Sequence, residues 1–178
     1  MTPREIDTAR LTLRPHTPQD FDDLFAVWAD PAVVRFISGK PSTREESWSR
    51  LLRYAGHWAM MDYGFWAVRE TKSGRFVGDV GLSEFRRDIT PSLEGAPEAG
   101  WVLATWAQGN GYATEAVRAA LAWHQRKTGA RRTVCMIAPE NAASLRVASK
   151  CGYVKFAQTL YRDEIVVLLE RVVLGDDT

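Results

Sequence analysis

The chain has 178 residues, of which 46% are hydrophobic and 25% are charged, as is typical of a globular protein with a single hydrophobic core. We therefore expect one domain over residues 1 to 178. The net charge of +1, from 23 basic and 22 acidic side chains, gives no broad positive field for a nucleic acid, and no apolar run approaches the ~20 residues of a membrane-spanning helix.

The first half of the chain begins with a predicted strand and a short helix. Arg10 to Arg14 alternates polar with apolar residues, as a half-buried strand does, and Pro15 ends it. Thr17 to Asp20 then supplies an N-cap residue, a proline and an early acid for a helix that ends near Asp30.

A second helix is predicted to begin at a capping box formed by Ser42 and Glu45 and to run to about Met60. Its apolar residues recur at intervals of three and four, which predicts one inward face. That face contains Trp48, Leu51, Leu52, Ala55 and Ala59.

A hairpin and a loop follow. Gly64 to Arg69 and Arg75 to Glu84 are strand-like runs joined by Thr71 to Gly74, a cluster of turn residues. The segment from Asp88 to Pro97 is rich in Pro, Gly and Ser. We expect it to be a loop at the rim of a binding site.

The second half alternates predicted strands and helices. The predicted elements are a strand Glu98 to Ala104, a helix Gly111 to Lys127 stopped by Gly129, a strand Arg132 to Ala138, a helix Asn141 to Lys150 stopped by Gly152, and a closing hairpin of Tyr153 to Ala157 with Glu164 to Val173. A right-handed crossover through the first helix would make the first two of these strands parallel neighbours in an otherwise antiparallel sheet.

The segment Gln108 to Ala113 lies between a predicted strand and the start of a predicted helix. Gly109 and Gly111 lack Cβ atoms, so an anionic group can approach the backbone closely and the chain can adopt positive φ. The free amides of the first helical turn and the positive end of the helix dipole point into the same space. The segment therefore predicts an anion cradle.

Three other interpretations of these glycines are open. A nucleotide-hydrolase phosphate loop needs a lysine and a hydroxyl residue after its last glycine, where this chain has Tyr112 and Ala113. A dinucleotide fingerprint needs a third glycine or alanine and normally follows the first strand, whereas four predicted strands precede this segment. The glycines could also make a tight turn and nothing more.

Several segments together resemble one family. Gln108, Gly111 and Ala113 look like the Gln/Arg-x-x-Gly-x-Gly/Ala signature of the Gcn5-related N-acetyltransferases (GNAT), and the following Thr114, Glu115 and Ala116 extend the match. Other segments resemble the ribosomal-protein branch of that family, called RimJ/RimL-like. These segments are Arg10 to Pro15, Phe76 to Gly78, Glu98 to Leu103, and the residues Asn141, Ser144, Lys150, Gly152 and Tyr153. The likeness covers roughly residues 8 to 172 in order.

This resemblance implies an α/β (α+β) fold with a mixed sheet of about seven strands and about four helices, in which the fourth and fifth strands splay apart. Acetyl-CoA would be the cofactor, with its pantetheine arm along the strand amides of Trp101, Val102 and Leu103. The family likeness assigns the pyrophosphate to the main chain of Gln108, Gly109, Asn110, Gly111, Tyr112, Ala113 and Thr114. Asn141 would hold the arm or brace the loop, and Ser144 would lie near the sulfur.

Acyl transfer to an amine needs a neutral nucleophile, a stabilised oxyanion and a proton for the leaving thiolate. Glu98 resembles a recurrent glutamate of the branch and is our candidate base, with Glu84 as its rival and Asp79 as a structural residue. A backbone amide near Val102 or Leu103 would bind the oxyanion. Many relatives carry a tyrosine where this chain has Ala148, so Ser144 is the candidate acid.

The remaining candidates are weaker. His16, His57 and His124 are scattered, so we expect no metal site. The tryptophans are expected mostly in the core, and the basic cluster of Arg126, Lys127, Arg131 and Arg132 either contacts the cofactor's nucleotide phosphate or is a solvated face. Cys135 and Cys151 are expected as free thiols, and the N-terminus has no secretory signal. We expect a cytoplasmic protein.

The sequence thus predicts an acetyl-CoA-dependent N-acetyltransferase that moves an acetyl group to a primary amine by direct attack in a ternary complex. The acceptor would be the N-terminus of a peptide or protein, or a small molecule. The alternatives are an acyl-CoA-binding sensor without turnover, which the missing tyrosine at Ala148 favours, and an antibiotic or polyamine acetyltransferase. The protein would be a monomer or a homodimer.

Overall fold

The computed structural model describes residues 4–173. It contains five α-helices, α1 (Phe21–Trp28), α2 (Pro31–Val34), α3 (Arg44–Met61), α4 (Tyr112–Thr128) and α5 (Ala142–Lys150). The strands are β1 (Ile6–Asp7), β2 (Leu11–Pro15), β3 (Phe65–Glu70), β4 (Phe76–Ser83), β5 (Glu98–Leu103), β6 (Arg132–Ile137), β7 (Val154–Tyr161) and β8 (Glu164–Val172). Single 3-10 turns occupy Pro18–Asp20 and Thr105–Ala107.

This inventory confirms the predicted mixed α/β fold and adds two short elements. The eighth strand is the two-residue β1, which has too few residues to show an alternating pattern. The fifth helix is the single-turn α2, which begins at Pro31 after the N-cap residue Asp30. The sequence predicts that the first helix ends near Asp30 and Pro31. A proline that ends one helix and a proline at the first position of a new helix look alike in the sequence.

All eight strands form one sheet in the order β1-β2-β3-β4-β5-β6-β8-β7. Every neighbouring pair is antiparallel except β5 with β6, which are parallel as predicted. Helix α4 makes the crossover between these two strands. The start of α4 is therefore fixed next to the end of β5.

The core is divided between groups of buried residues. The larger group includes the inward face of α4 and a cluster of three mutually perpendicular indoles, Trp58, Trp66 and Trp123, with ring centres 4.9 to 5.6 Å apart. A second group joins α1, α2 and α3 to the sheet. A third anchors the loop between β4 and β5 through Ile89 and Leu93.

Helix α3 begins one residue later than predicted. Its capping box is Thr43 with Glu46, in which the Thr43 hydroxyl accepts the Glu46 amide at 3.1 Å and the Glu46 carboxylate accepts the Thr43 amide at 2.8 Å. The prediction of Ser42 with Glu45 was wrong because two overlapping hydroxyl and acid pairs satisfy the same spacing. Ser42 is instead buried, and its hydroxyl accepts a hydrogen bond from Arg50.

The predicted inward face of α3 was also mostly wrong. Of its residues only Leu51 is buried, while Trp48 is 39% exposed, Leu52 is 52% exposed, and Ala55 and Ala59 are exposed as well. The face that packs inward carries Ser47, Leu51, Tyr54 and Trp58. The two aromatic residues bury more apolar area than the alanines would, and this difference sets the rotation of the helix.

We predict opposite effects on stability for two glycine substitutions. A Cβ at Gly81 in β4 would lie 2.3 Å from the Gly64 carbonyl oxygen, whereas a Cβ at the exposed Gly56 in α3 would meet nothing within 4 Å. Gly81→Ala should destabilise the fold by about 2 kcal/mol or more. Gly56→Ala should stabilise it by roughly 0.5 to 1 kcal/mol. Urea denaturation of both variants measures this, and a stable Gly81 variant would contradict the close packing of β3 and β4.

Candidate active site

The glycine segment forms an open loop at the start of α4. Gly109 and Gly111 have φ of 76° and 80°, which is the left-handed region that favours glycine. A Cβ at Gly109 would meet nothing within 4 Å, and one at Gly111 would meet only the Arg10 guanidinium at 3.4 Å. Gly111 is the N-cap residue of α4 and no side chain caps the helix. The first-turn amides of Tyr112, Ala113 and Thr114 are therefore left for a ligand.

Polar side chains hold this loop in shape. The Gln108 amide donates to the Leu103 carbonyl at 3.1 Å, and the Asn110 amide donates to the carbonyls of Trp106 and Gln108 at 3.3 Å. Arg10, the residue before β2, donates to the Asn110 carbonyl at 2.9 Å and pairs with Glu115 at 2.7 Å. The side chains of Gln108 and Asn110 thus bond to the protein, and only their backbone groups are available to a ligand.

The sheet opens beside this loop. Strands β5 and β6 pair only at Glu98 with Val134, whereas β4 and β5 pair at six successive positions. From Ala99 to Leu103, one edge of β5 therefore has no strand partner among residues 4–173. This opening is the predicted splay. The predicted fourth and fifth strands are β5 and β6 of the structure, because β1 adds one strand before them. The apex of the splay is at Glu98, and its open end is at the glycine loop. Trp101, Val102 and Leu103 lie along the unpaired part.

Asn141 and Ser144 lie at the start of α5. The Asn141 side chain accepts the Ser144 amide at 3.1 Å and caps the helix. Ser144 itself is half-buried, and Ala148 is fully buried in the main core. The sequence predicted a bracing or ligand-binding role for Asn141, and the hydrogen bond to Ser144 accounts for its conformation within the protein.

Glu98 is held by an arginine that the sequence analysis did not single out. Both carboxylate oxygens accept hydrogen bonds from Arg87, at 2.7 Å from Nε and 2.9 Å from Nη2. Arg87 also donates to the Tyr161 hydroxyl at 3.1 Å. Burial disfavours the guanidinium charge, but the bonds to Glu98 outweigh it and raise the pKa of Arg87. Glu98, at 8% exposure, is thus one partner of a largely buried ion pair.

The other carboxylates near this end of the sheet differ in surroundings. The Glu84 amide donates to His57 Nε2 at 3.0 Å, and burial followed by the Glu84 charge raises the pKa of Tyr63. Asp79 is fully buried, with its oxygens 2.7 Å from His16 Nε2 and 2.8 Å from Trp28 Nε1. Asp79 therefore connects α1 to the sheet, which agrees with the structural role predicted for it.

Two basic residues that the sequence analysis did not assign to the cofactor site lie beside the glycine loop. Arg118 and Lys150 line an open cleft of about 510 Å³ together with Thr8, Gly111, Thr114 and Glu115. The Arg118 guanidinium donates to the Lys150 carbonyl at 2.6 Å. Helical spacing could have found Arg118, since Gly111, Thr114 and Arg118 share one face of α4. Lys150 comes from α5 and gives no such local signal.

The predicted basic cluster lies elsewhere. Lys127 pairs with Asp62, and Arg132 pairs with Glu170 at 2.8 Å. Lys127 is in the last turn of the 17-residue α4 and Arg132 begins β6 just after it, so the cluster is roughly 20 Å from the first turn of α4 at 1.5 Å per residue. This distance favours the interpretation of the cluster as a solvated face.

Other expectations concern the core. Trp58 and Trp66 are buried, as expected, while Trp101 and Trp106 are partly buried. Cys135 and Cys151 are free and buried, and burial raises the pKa of both thiols.

Within residues 4–173, no group of three His, Cys, Asp or Glu side chains is placed to hold a metal ion. No helix in the same range is long and apolar enough to cross a bilayer.

Comparison with known proteins identifies this arrangement. The family model of the acetyltransferase (GNAT) domain matches residues 10–154. The chain belongs to the GNAT acetyltransferases. It is an acetyl-CoA-dependent N-acetyltransferase, as the sequence predicted.

Individual relatives agree with this assignment. A solved structure described as a putative GNAT-family acetyltransferase from Bordetella pertussis has a TM-score of 0.84 and 32% identity, covering 96% of this chain and 100% of that chain. The uncharacterized protein YkkB of Bacillus subtilis (strain 168) is 31% identical over 83% of this chain and 84% of its own length. A ribosomal-protein-S5-alanine acetyltransferase from Vibrio fischeri has a TM-score of 0.75 at 20% identity, with 97% of both chains covered, which shows a common fold.

The residues present fit the GNAT cofactor. The loop at Gly109 and Gly111 has space where side chains would otherwise lie, and it presents free amides to a diphosphate. The unpaired edge of β5 can bond the amides of a pantetheine arm as an added strand would. Arg118 and Lys150 add positive charge beside the loop. Acetyl-CoA supplies the acetyl group as a thioester.

We predict that Gly111→Val abolishes or strongly weakens CoA binding, because a branched side chain would fill the space that the diphosphate needs. Gly129→Val is the matched control, since Gly129 has a similar φ of 70° but ends α4 instead of starting it. Both variants carry the same backbone strain. Calorimetric titration with CoA should show at least a 10-fold difference in Kd between them. Equal affinities would remove Gly111 from the cradle.

Proposed function

We propose that this GNAT domain acetylates a primary amine of low pKa, such as the α-amine of a peptide or protein N-terminus or that of a small molecule, by direct attack in a ternary complex. The observation that carries the proposal is the splay of β5 from β6 with the amide-lined loop at its open end. The thioester and the amine would meet along this opening. A single domain would contain both binding sites, since one sheet spans the described chain.

The backbone of residues 108–114 would hold the pyrophosphate, and the unpaired backbone of Trp101, Val102 and Leu103 would hold the pantetheine arm. An amide at Val102 or Leu103 would stabilise the oxyanion that forms on the attacked carbonyl. Asn141 would keep the first turn of α5 in place, since it caps that helix. Ser144, half-buried in that turn, would donate a proton to the departing thiolate.

Energetics favour an α-amine over a lysine side chain. Neutralising a lysine amine with pKa ~10.4 costs about 4.6 kcal/mol at pH 7, whereas an α-amine near 8 costs only about 1.4 kcal/mol. Glu98 would serve as the base, directly or through water, but both of its oxygens are bonded to Arg87. An α-amine is already partly neutral at pH 7 and therefore depends less on this carboxylate than a lysine amine does.

The RimJ/RimL-like branch, with ribosomal-protein N-termini as acceptors, is one form of this proposal. The buried reduced thiols Cys135 and Cys151 support a cytoplasmic location, because that compartment keeps thiols reduced. A monomer or a homodimer is compatible with the site, since all the proposed residues come from one chain.

The function is tested by release of free CoA thiol from acetyl-CoA in the presence of amines. We expect a peptide with a free α-amine to be acetylated faster at pH 7 than the same peptide with a blocked N-terminus and a free lysine. Mass spectrometry of the product locates the acetyl group. Binding of acetyl-CoA with no thiol release on any amine would support the sensor without turnover, for which the buried Ala148 in place of a tyrosine is the supporting feature.

We predict that Glu98→Gln lowers turnover about 10-fold or more at pH 6 and has little effect at pH 9, because the amine is already neutral at high pH and needs no base. Glu94→Gln is the matched control, since Glu94 is an exposed carboxylate on the preceding loop. The measurement is a pH profile of kcat/KM for both variants. A profile of Glu98→Gln parallel to that of the wild type would show that Glu98 is not the base.

A further inference from the structure

Arg50, on α3, is a largely desolvated cation. Its guanidinium stacks 3.5 Å above the ring of Trp28, and Nη1 donates to the Ser42 hydroxyl at 3.3 Å. Nε is buried and has no hydrogen-bond partner, and the buried hydroxyl of Ser47, one turn earlier, has none either. Burial is the largest influence on this guanidinium and lowers the pKa of Arg50. A buried donor without a partner costs about 1 to 3 kcal/mol unless a ligand or water satisfies it.

Arg50 has no close ion-pair partner in the described part of the chain. Among residues 4–173, Arg50 and Arg53 form no ion pair within 4.0 Å. The expected partner is Glu46, four residues earlier on α3, but its carboxylate accepts the Thr43 amide at 2.8 Å as part of the capping box. Asp79 and Glu46 act on Arg50 only through charge at longer range, and the oxygens of Asp79 are bonded to His16 and Trp28.

Arg53 adds a second positive charge one turn further along α3. Its guanidinium lies 5.8 Å from the Tyr54 ring and 5.9 Å from the Phe85 ring. Arg50 and Arg53 line an open cleft of about 570 Å³, whose other walls are Thr43, Glu45, Glu46 and Ser49. Two guanidinium groups one turn apart repel each other, so an anion between them would be stabilised by both.

Two series of contacts connect this cleft to the proposed reaction site. The Phe85 ring that faces Arg53 also faces Arg87 at 4.4 Å, and Arg87 is bonded to Glu98 at the apex of the splay. By a second route, the Trp28 ring under Arg50 donates to Asp79, which is paired across the sheet with Val102. An amine at the apex could therefore carry a group that extends into the cleft.

We propose that the cleft of Arg50 and Arg53 binds a carboxylate of the acceptor, so that the substrate is an amine that also carries an acidic group. This inference rests on the proposed function and specifies its substrate class. A polyamine or aminoglycoside would bring positive charge toward two unpaired arginines, with Glu98 already occupied by Arg87. The chemistry fits the N-terminus of an acidic peptide, which combines an α-amine of low pKa with a carboxylate further along the chain.

The test compares amines that differ only in charge. The probes are tripeptides with free N-termini and amidated C-termini that contain Glu or Gln after the first residue. For the wild type we expect the anionic member to have a KM about 10-fold lower at low salt, the size of one charged hydrogen bond, with the difference shrinking as salt is added.

Arg53→Gln should raise KM for the anionic probes to that of the neutral ones, with kcat unchanged and the neutral probes unaffected. Lys155→Gln is the control, because it removes one positive charge from an exposed side chain of β7. Arg50→Gln should have the same effect as Arg53→Gln. Because Arg50 is packed on Trp28, the melting temperature of Arg50→Gln is first compared with that of the wild type. If Arg50→Gln is destabilised, the test uses Arg53→Gln only.

The outcomes separate this inference from the proposed function. Equal KM values for anionic and neutral members in the wild type, or an Arg53→Gln effect shared by both, would overturn the carboxylate site while acetylation itself continued. Preference for spermine-like polycations would also overturn it. Absence of acetylation on every probe would contradict the proposed function instead.

Discussion

The loss of pairing between β5 and β6 after Glu98 and Val134 is the constraint on which the site depends. In a continuous sheet, the backbone of residues 99 to 103 would be used by its neighbour strand. Because β6 diverges, one edge of β5 is left with hydrogen-bonding groups that have no strand partner. The Gln108 side chain takes the Leu103 carbonyl, and a ligand or solvent can satisfy the amides. A parallel pair needs a long crossover, and that crossover is α4, so the helix that covers the sheet also begins at the open end of the splay.

The glycine loop is suited to bind an anion because the space beside it is open and its backbone is fixed by hydrogen bonds. Gly109 and Gly111 keep side chains out of the space above the first turn of α4, while the hydrogen bonds of Gln108 and Asn110 fix the path of the chain from inside. Arg10 ties the loop to β2 through the Asn110 carbonyl and Glu115. Amides held in this way lose little conformational freedom on binding an anion, which is the advantage of a preorganised site.

Local features of the sequence predicted the parts of the site that depend on neighbouring residues. The helix from residue 112, its stop at Gly129 and the loop before it follow from spacing over a few residues, and the structure has them all. The rotation of α3 was missed because two faces of that helix have apolar spacing and only tertiary packing selects between them. Arg87 bonds Glu98 across a loop of ten residues, and Lys150 reaches the cleft from another helix. Such contacts leave no periodic signal, and only the fold reveals them.

The Arg87 and Glu98 pair limits which chemistry the site can perform. Removing the guanidinium from Glu98 would leave a buried carboxylate without its charge partner, which is costly, so the pair should persist during the reaction. An amine of high pKa depends strongly on a base at neutral pH, and both oxygens of the proposed base Glu98 are bonded to Arg87. The α-amine of a peptide depends on a base less, because neutralising it costs only about 1.4 kcal/mol. Peptide N-termini have such amines, and the proposed carboxylate site at Arg50 and Arg53 would select among them by their acidic groups.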